Sequence, residues 1–199
     1  ALAASQVPFS YLKVSGEPLV NITREGGLEG RIAEEWTASD DATEWRFKIR
    51  SGVEFHNGQT VTAEDVAQTL RRHSNEDSQS GALGIMRGIS SISVEGDTLV
   101  LQTEGPNADL PFLLADYHLM IQPNGGFDDP TAGIFAGAYK WVENEPGVRH
   151  VLEKHANYWD SSVGHFNSIE MLVINDSTAR NSALQSGQVQ LINRVEPRV

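Results

Sequence analysis

The chain has 199 residues, 27 acidic and 15 basic side chains, and a formal net charge of −12. That balance argues against nucleic acid or an anionic membrane as a partner, because both need a basic face. There is no cysteine, which excludes a disulfide framework, a thiolate metal site and a cysteine nucleophile. A chain this long buries roughly 70% of the surface that its unfolded form exposes, so a core without staples is expected.

Residues 1–20 carry Val7-Pro8-Phe9, Tyr11-Leu12 and Glu17-Pro18-Leu19-Val20. No n-region and h-region of a signal peptide is present; Ala1-Leu2-Ala3-Ala4 is read as a start inside a longer chain, the alternative being the tail of a signal peptide. No apolar run approaches the ~20 residues that a membrane-spanning helix needs. Gly26-Gly27 and Gly30 make a loop, and Ser39-Asp40-Asp41 turns into a strand. In that strand Trp45, Phe47 and Ile49 alternate with Glu44, Arg46, Lys48 and Arg50, the period of a half-buried antiparallel strand. Ser51-Gly52 breaks it, Val53 and Phe55 resume the apolar face, and His56-Asn57-Gly58 is a turn. A helix follows. Thr62 is its N-cap, Asp65 completes a short capping box, and Ala63, Val66, Ala67 and Leu70 form its buried stripe.

Ser74 to Ser80 reads as a loop. The Gly-rich stretch Gly81 to Gly88 lacks the spacing of a phosphate-binding fingerprint and reads as a turn burying Leu83, Ile85 and Met86. Ile92 to Leu101 is a hairpin about Glu95-Gly96-Asp97. Asn107 to Ala115 is a short helix, with Asp109 at its start, Pro111 in its first turn, and Leu110, Leu113 and Leu114 inward. Tyr117 to Gln122 is expected as a strand stopped by Pro123, and Asn124-Gly125-Gly126 as a crossover between lobes. Tyr139 to Leu152 is a second hairpin, and Asn157-Tyr158-Trp159-Asp160 a polar-aromatic turn. Ile169 to Ile174 is apolar enough for a strand buried on both faces. A helix capped by Asp176 or Ser177 follows, with Ala179, Ala183 and Leu184 inward and Gly187 at its end. Val189 to Ile192 would return as a strand, giving a parallel βαβ unit.

Several of these stretches together resemble the family 5 extracellular solute-binding proteins, the peptide-, dipeptide- and nickel-binding receptors of ABC importers. Trp45 to Arg50, Phe55-His56-Asn57-Gly58 and Thr62-Ala63-Glu64-Asp65-Val66 match the family signature in order. Glu17-Pro18-Leu19-Val20 and Arg31 to Trp36 match two earlier elements, with Ile32 in place of a Leu. Phe135-Ala136-Gly137-Ala138-Tyr139 keeps only the second Gly and the Tyr of a Gly-Thr-Gly-Pro-Tyr element. Asn157-Tyr158-Trp159-Asp160 resembles the Tyr-Trp end of an Asn-x-x-Tyr-Trp pattern, and Ala183 to Gln190 fits another with Gln188 and Gln190 replacing acids.

The resemblance implies a mixed α/β (α+β) fold of the type II periplasmic-binding-protein kind, present in part: a small mixed lobe and an incomplete hinge-bearing lobe. Residues 1–20 would begin the hinge-bearing lobe, 21–124 form the small lobe, and 125–199 continue the hinge-bearing lobe. It implies capture of a short peptide or similar small solute outside the inner membrane, delivery to a membrane permease, and no enzymatic chemistry or cofactor. Position by position it places Phe9 and Tyr11, the loop from Leu83 to Met86, and Tyr117 and His118 at the ligand cleft. His118 also becomes the candidate contact for a metal complex, since nickel-type members bind one.

The chemistry-bearing residues leave two other classes open. Asp40-Asp41 and Asp128-Asp129 are adjacent acid pairs, the raw material of a glycosidase-like hydrolase, although their context is that of turns. The six histidines, at 56, 73, 118, 150, 155 and 165, form no close metal-ligand pair. The substituted 135–139 element keeps alive a ligand-free interaction or sensory module on the same fold.

Overall fold

The computed structural model describes residues 12–193 and 195. Phe9 and Tyr11 therefore lie outside the described residues. Residues 12–15 are helical. The strands are β1 (Val20–Ile22), β2 (Leu28–Gly30), β3 (Ala33–Ala38), β4 (Glu44–Ile49), β5 (Ile89–Glu95), β6 (Thr98–Thr103), β7 (Tyr139–Glu145), β8 (Arg149–Lys154) and β9 (Ser168–Leu172). The α-helices are α1 (Ala63–Ser74), α2 (Leu83–Met86), α3 (Leu110–Leu113) and α4 (Ser177–Gln185).

The first half is built on an antiparallel sheet ordered β3-β4-β6-β5. The alternation of β4 sets its inner face: Trp45, Phe47 and Ile49 are buried. Phe47 sits opposite Leu99 and Trp45 opposite Leu101. Helix α1 covers this face with Ala63, Val66, Ala67 and Leu70. Each fully buried Leu or Phe of such a core contributes about 1.5–3 kcal/mol.

The start of α1 has a complete capping box. The Thr62 hydroxyl accepts from the Asp65 N–H at 3.2 Å, and Asp65 Oδ2 accepts from the Thr62 N–H at 2.9 Å. The other Asp65 oxygen, Oδ1, accepts from the Asn124 N–H at 2.7 Å. The stretch Pro123–Gly126 is thereby clamped along α1. Arg72 Nη1 reaches the Gly125 carbonyl at 3.2 Å, and a Cβ on Gly125 would lie 2.5 Å from the Gln68 carbonyl carbon. Gly125 also has φ +64, so two constraints require glycine there.

The second half is a separate antiparallel sheet ordered β7-β8-β9. Helix α4 begins at Asp176, whose Oδ1 accepts from the Ala179 N–H at 2.7 Å, and Gly187 follows it at φ +77.

Five expectations are corrected. The helix expected over 107–115 spans only Leu110–Leu113, and Leu113, expected inward, is 38% exposed. Tyr117 to Gln122 is not a strand: Tyr117–Leu119 is a 3-10 turn, because the Asp116 carboxylate accepts from the His118 N–H and winds the chain. Leu119 to Gln122 is buried continuously, so alternation had no solvent face to follow. The βαβ unit is absent among the described residues: β9 runs antiparallel to β8, half-exposed, and 189–192 forms no strand. Leu83–Met86 is one helical turn in which only Met86 is fully buried, and Leu83 and Ile85 are half-buried. In α4 only Ala183 is buried; Ala179 and Leu184 are exposed.

Candidate functional site

The 3-10 turn at Tyr117–Leu119 and the α2 turn meet through one small residue. A Cβ on Gly81 would come within 2.6 Å of the His118 ring, so glycine at 81 makes room for His118. His118 Nδ1 and the His118 N–H both donate to Asp116 Oδ1, at 2.6 and 2.9 Å. The Tyr117 ring lies against the His118 ring with centroids 3.9 Å apart. Tyr117 also packs on Leu12, Met120 and Phe135, a satellite cluster under the N-terminal segment. Three stretches far apart in sequence are thereby brought together: residues 12–13, the α2 turn, and 115–118.

Between them lies an open hollow of about 360 Å³. Lys13, Ile85, Phe112, Leu113, Asp116 and Tyr117 are among its walls. Burial lowers the Lys13 ammonium pKa, against the raising fields of Asp116 and Glu17. The rim is apolar: Ile22, Phe112 and Leu113 are 47%, 40% and 38% exposed. Polar groups placed in a largely apolar hollow are the usual makeup of a small-solute site.

Of the residues expected at a cleft, Tyr117 lines this hollow directly. His118 stands behind it, orienting Asp116. The α2 turn contributes Ile85 to the wall, while Met86 is buried in the main core at 2% exposure, a packing position. Leu83 is half-buried on the same turn. Sequence reasoning passed over Lys13 and Asp116, which carry no motif.

A second, larger hollow of about 450 Å³ lies against the β7-β8-β9 sheet, with Glu17, Arg31, Tyr158 and Phe166 among its walls. Its floor is a buried ionic network. Arg31 Nε donates to Glu17 Oε1 at 2.6 Å, Nη1 to Asp160 Oδ2 at 3.1 Å, and Nη2 to the Tyr158 hydroxyl at 2.6 Å. The Tyr158 hydroxyl in turn donates to Glu17 Oε2 at 2.5 Å. Burial would lower the Arg31 pKa, but the hydrogen bond and charge of Glu17 outweigh it and hold the guanidinium charged. Burial pushes the Glu17 carboxyl up, against hydrogen bonds that lower it, and burial beside Glu17 pushes the Tyr158 hydroxyl up. Arg31 and Arg50 lie over the Trp159 ring at 4.8 and 4.2 Å. Every acid and hydroxyl of this network is committed to a protein partner, which fits a structural joint.

The acid pairs are turn formers. Asp41 Oδ1 accepts from the Ser39 and Thr43 hydroxyls, and Asp129 Oδ1 from the Thr131 N–H and hydroxyl. Those hydrogen bonds hold both carboxyls below their ordinary pKa. Among the described residues no group of three or more His, Asp or Glu side chains is placed to hold a metal ion.

The fold is that of part of a type II periplasmic binding protein. The structure of the PBP AgaA in complex with agropinic acid, from A. tumefaciens R10, superposes with a TM-score of 0.84 at 26% identity, over 92% of this chain and 38% of that one. The crystal structure of a nickel ABC transporter from Bacillus halodurans gives 0.84 at 26% identity, over 97% and 40%. The nickel-binding periplasmic protein of Escherichia coli (strain K12) is 29% identical over 185 residues, 88% of this chain and 35% of that protein. The oligopeptide-binding protein OppA of Bacillus subtilis (strain 168) is 26% identical over 94% of this chain and 39% of that protein. The chain thus spans well under half the length of these relatives. Residues 27–198 match the family model described as bacterial extracellular solute-binding proteins, family 5 Middle, and the chain belongs to that family.

Proposed function

We propose that this chain is part of the substrate-binding component of an ABC importer, which captures a short peptide or similar small solute outside the inner membrane and hands it to a membrane permease. It works by binding, without bond-making chemistry. The observation that carries this reading is the hollow between residues 13, 85, 112–113 and 116–117. Of the positions that resemblance puts at a cleft, Tyr117 lines it, and its walls mix apolar and charged groups as solute sites do. Residues 21–124 act as the small lobe, and 1–20 with 125–199 as the hinge-bearing lobe. Two contacts support that division: the Gly137 N–H donates to the Ser15 carbonyl at 2.9 Å, and Tyr158 to Glu17. Both tie the N-terminal segment to the second half.

The test is a thermal-shift screen of the full-length protein, stripped of co-purified solute, against short peptides, nickel–histidine and oligosaccharides. A solute at 100 times its dissociation constant adds about 2.7 kcal/mol to stability. A rise in melting temperature with one class supports the reading; none with any class contradicts it.

A further inference from the structure

Helix α1 ends in a side-chain strap. His73, in its last turn, and Ser80, after it, are both buried, while residues 75–77 and 79 between them are exposed. His73 Nδ1 meets the Ser80 hydroxyl at 2.6 Å, and the same oxygen accepts from the Ala82 N–H at 3.1 Å. Nδ1 and both roles of the hydroxyl are satisfied when Ser80 donates to an unprotonated Nδ1. A proton on Nδ1 makes that nitrogen a donor and leaves the hydroxyl hydrogen without an acceptor among the described residues. The strap fixes the near end of the α2 turn, whose far end is anchored in the core by Met86. Gly81 follows Ser80 and lies against the His118 ring, which holds Asp116; Ile85 and Asp116 are both walls of the first hollow. Burial lowers the His73 pKa from 6.5 to about 4. The charges of Arg72, on its own helix, and His118 add to the fall, and Asp116 opposes it.

We infer that the His73–Ser80 contact is an acid-released latch: both are positioning residues that hold the α2 turn against the hollow, and a proton on His73 frees residues 75–82 and weakens solute binding there. The loop that must lift to let water reach the ring is bonded within itself, from the Ser78 N–H to the Asn75 carbonyl at 2.8 Å and from the Asp77 N–H to Asn75 Oδ1 at 3.0 Å, so it can move as a unit. Such an opening is local and leaves the sheet and its core in place. A latched His73 with a pKa about 4 and a released one near 6.5 make opening about 30-fold more favourable at pH 5 than at pH 7.5. The effect on solute rests on the receptor reading above; the latch itself does not.

The experiment is hydrogen–deuterium exchange on the full-length, solute-stripped protein at pH 7.5 and 5, corrected for intrinsic rates, with calorimetry at both pH values using trialanine, nickel–histidine and maltotriose. Opening of residues 75–82 should rise about 30-fold at pH 5. Amides of β4 should stay slower than these at both pH values, which marks the opening as local. His73→Gln keeps an acceptor but does not titrate, and should abolish the rise. Ser80→Ala should open the segment already at pH 7.5. The unaltered protein at two pH values keeps the test decisive if either variant fails to fold. A probe that binds at pH 7.5 should bind more weakly at pH 5, by up to about 30-fold, and His73→Gln should remove that loss. Opening that ignores pH, or that rises equally in His73→Gln, overturns the latch and leaves the receptor reading standing. Acid opening with unchanged affinity for a bound probe overturns the coupling to solute. No binding by any probe at either pH overturns the receptor reading and the coupling together, and the exchange data alone then decide the latch.

Discussion

His56 Nε2 donates to the carbonyl oxygen of Gly137 at 3.0 Å, joining the turn after Phe55 to a segment 81 positions away. A carbonyl only accepts, so Nε2 carries the proton; Nδ1 is then free to accept from the Phe135 N–H at 3.4 Å. The His56 N–H donates to the Phe135 carbonyl at 2.8 Å, and the His155 ring meets His56 edge-on at 5.1 Å. The family signature at 55–58 is thus a joint between the two halves.

That joint is acid-sensitive. Burial lowers the His56 pKa to about 4, with the Gly137 bond opposing and His155 and Lys140 adding to the fall. Burial lowers His73, whose Nδ1 meets the Ser80 hydroxyl at 2.6 Å, to about 4 as well. Both folded values lie below the unfolded one near 6.5, so the unfolded chain binds more protons between them. Stability is therefore full above about pH 6.5 and falls as pH drops toward 4, by on the order of 3 kcal/mol for each histidine at the limit. Urea unfolding at pH 7.5 and 4.5 checks this, and His73→Gln should flatten the fall by about one group's share. An unchanged pH profile in that variant would be evidence against a neutral buried His73.

Glycine has opposite meanings at two positions. A Cβ on Gly137 would lie 2.5 Å from the Ser15 carbonyl oxygen, a backbone atom that cannot swing aside. Gly137→Ala should cost about 1–3 kcal/mol. Gly84 has nothing within 4 Å of a built Cβ and sits in the α2 turn. Gly84→Ala should stabilise by about 0.4–1 kcal/mol, through the unfolded chain. Paired denaturation curves of the two variants decide it.

Asp65 holds two elements and Thr62 only one. Thr62→Ala removes the cap, which is worth about 1 kcal/mol. Asp65→Ala removes its half of the cap and leaves the Asn124 N–H without its acceptor at 2.7 Å. It should cost about 2 kcal/mol or more. Equal losses in the two variants would mean that the 123–126 clamp adds no stability.

The Arg31 network should behave as a unit. Glu17→Leu leaves a buried guanidinium short of a partner and should cost about 3–5 kcal/mol. Tyr158→Phe should cost less, and the double variant less than the sum, because both singles break the same Glu17–Tyr158 contact. Strict additivity in the cycle would contradict the network.

What was legible in the sequence was local. Alternation at 45–49, the cap at Thr62, the hairpin about Gly96 and the Gly187 stop each depend on neighbours within a few residues, and all of them form. Tyr117 to Gln122 misled because burial on every side leaves no period, and a carboxylate one residue upstream wound the first turn. The joints were illegible for another reason. Glu17 meets Tyr158 across 141 positions, and no spacing rule encodes such a pairing. Each partner stood inside a family element, yet only packing brings the elements together. Lys13 and Asp116 lie in no motif, and the hollow exists only once three distant segments meet.

The most direct test of the receptor account is hydrogen–deuterium exchange on the full-length protein, with and without the solute that raises its melting temperature most. The account predicts new protection in segments covering 81–88 and 110–122, around the hollow of Ile85, Phe112 and Asp116. Protection absent there, and found instead only around 161–170 beside the Glu17–Arg31 network, would place the solute elsewhere and contradict it.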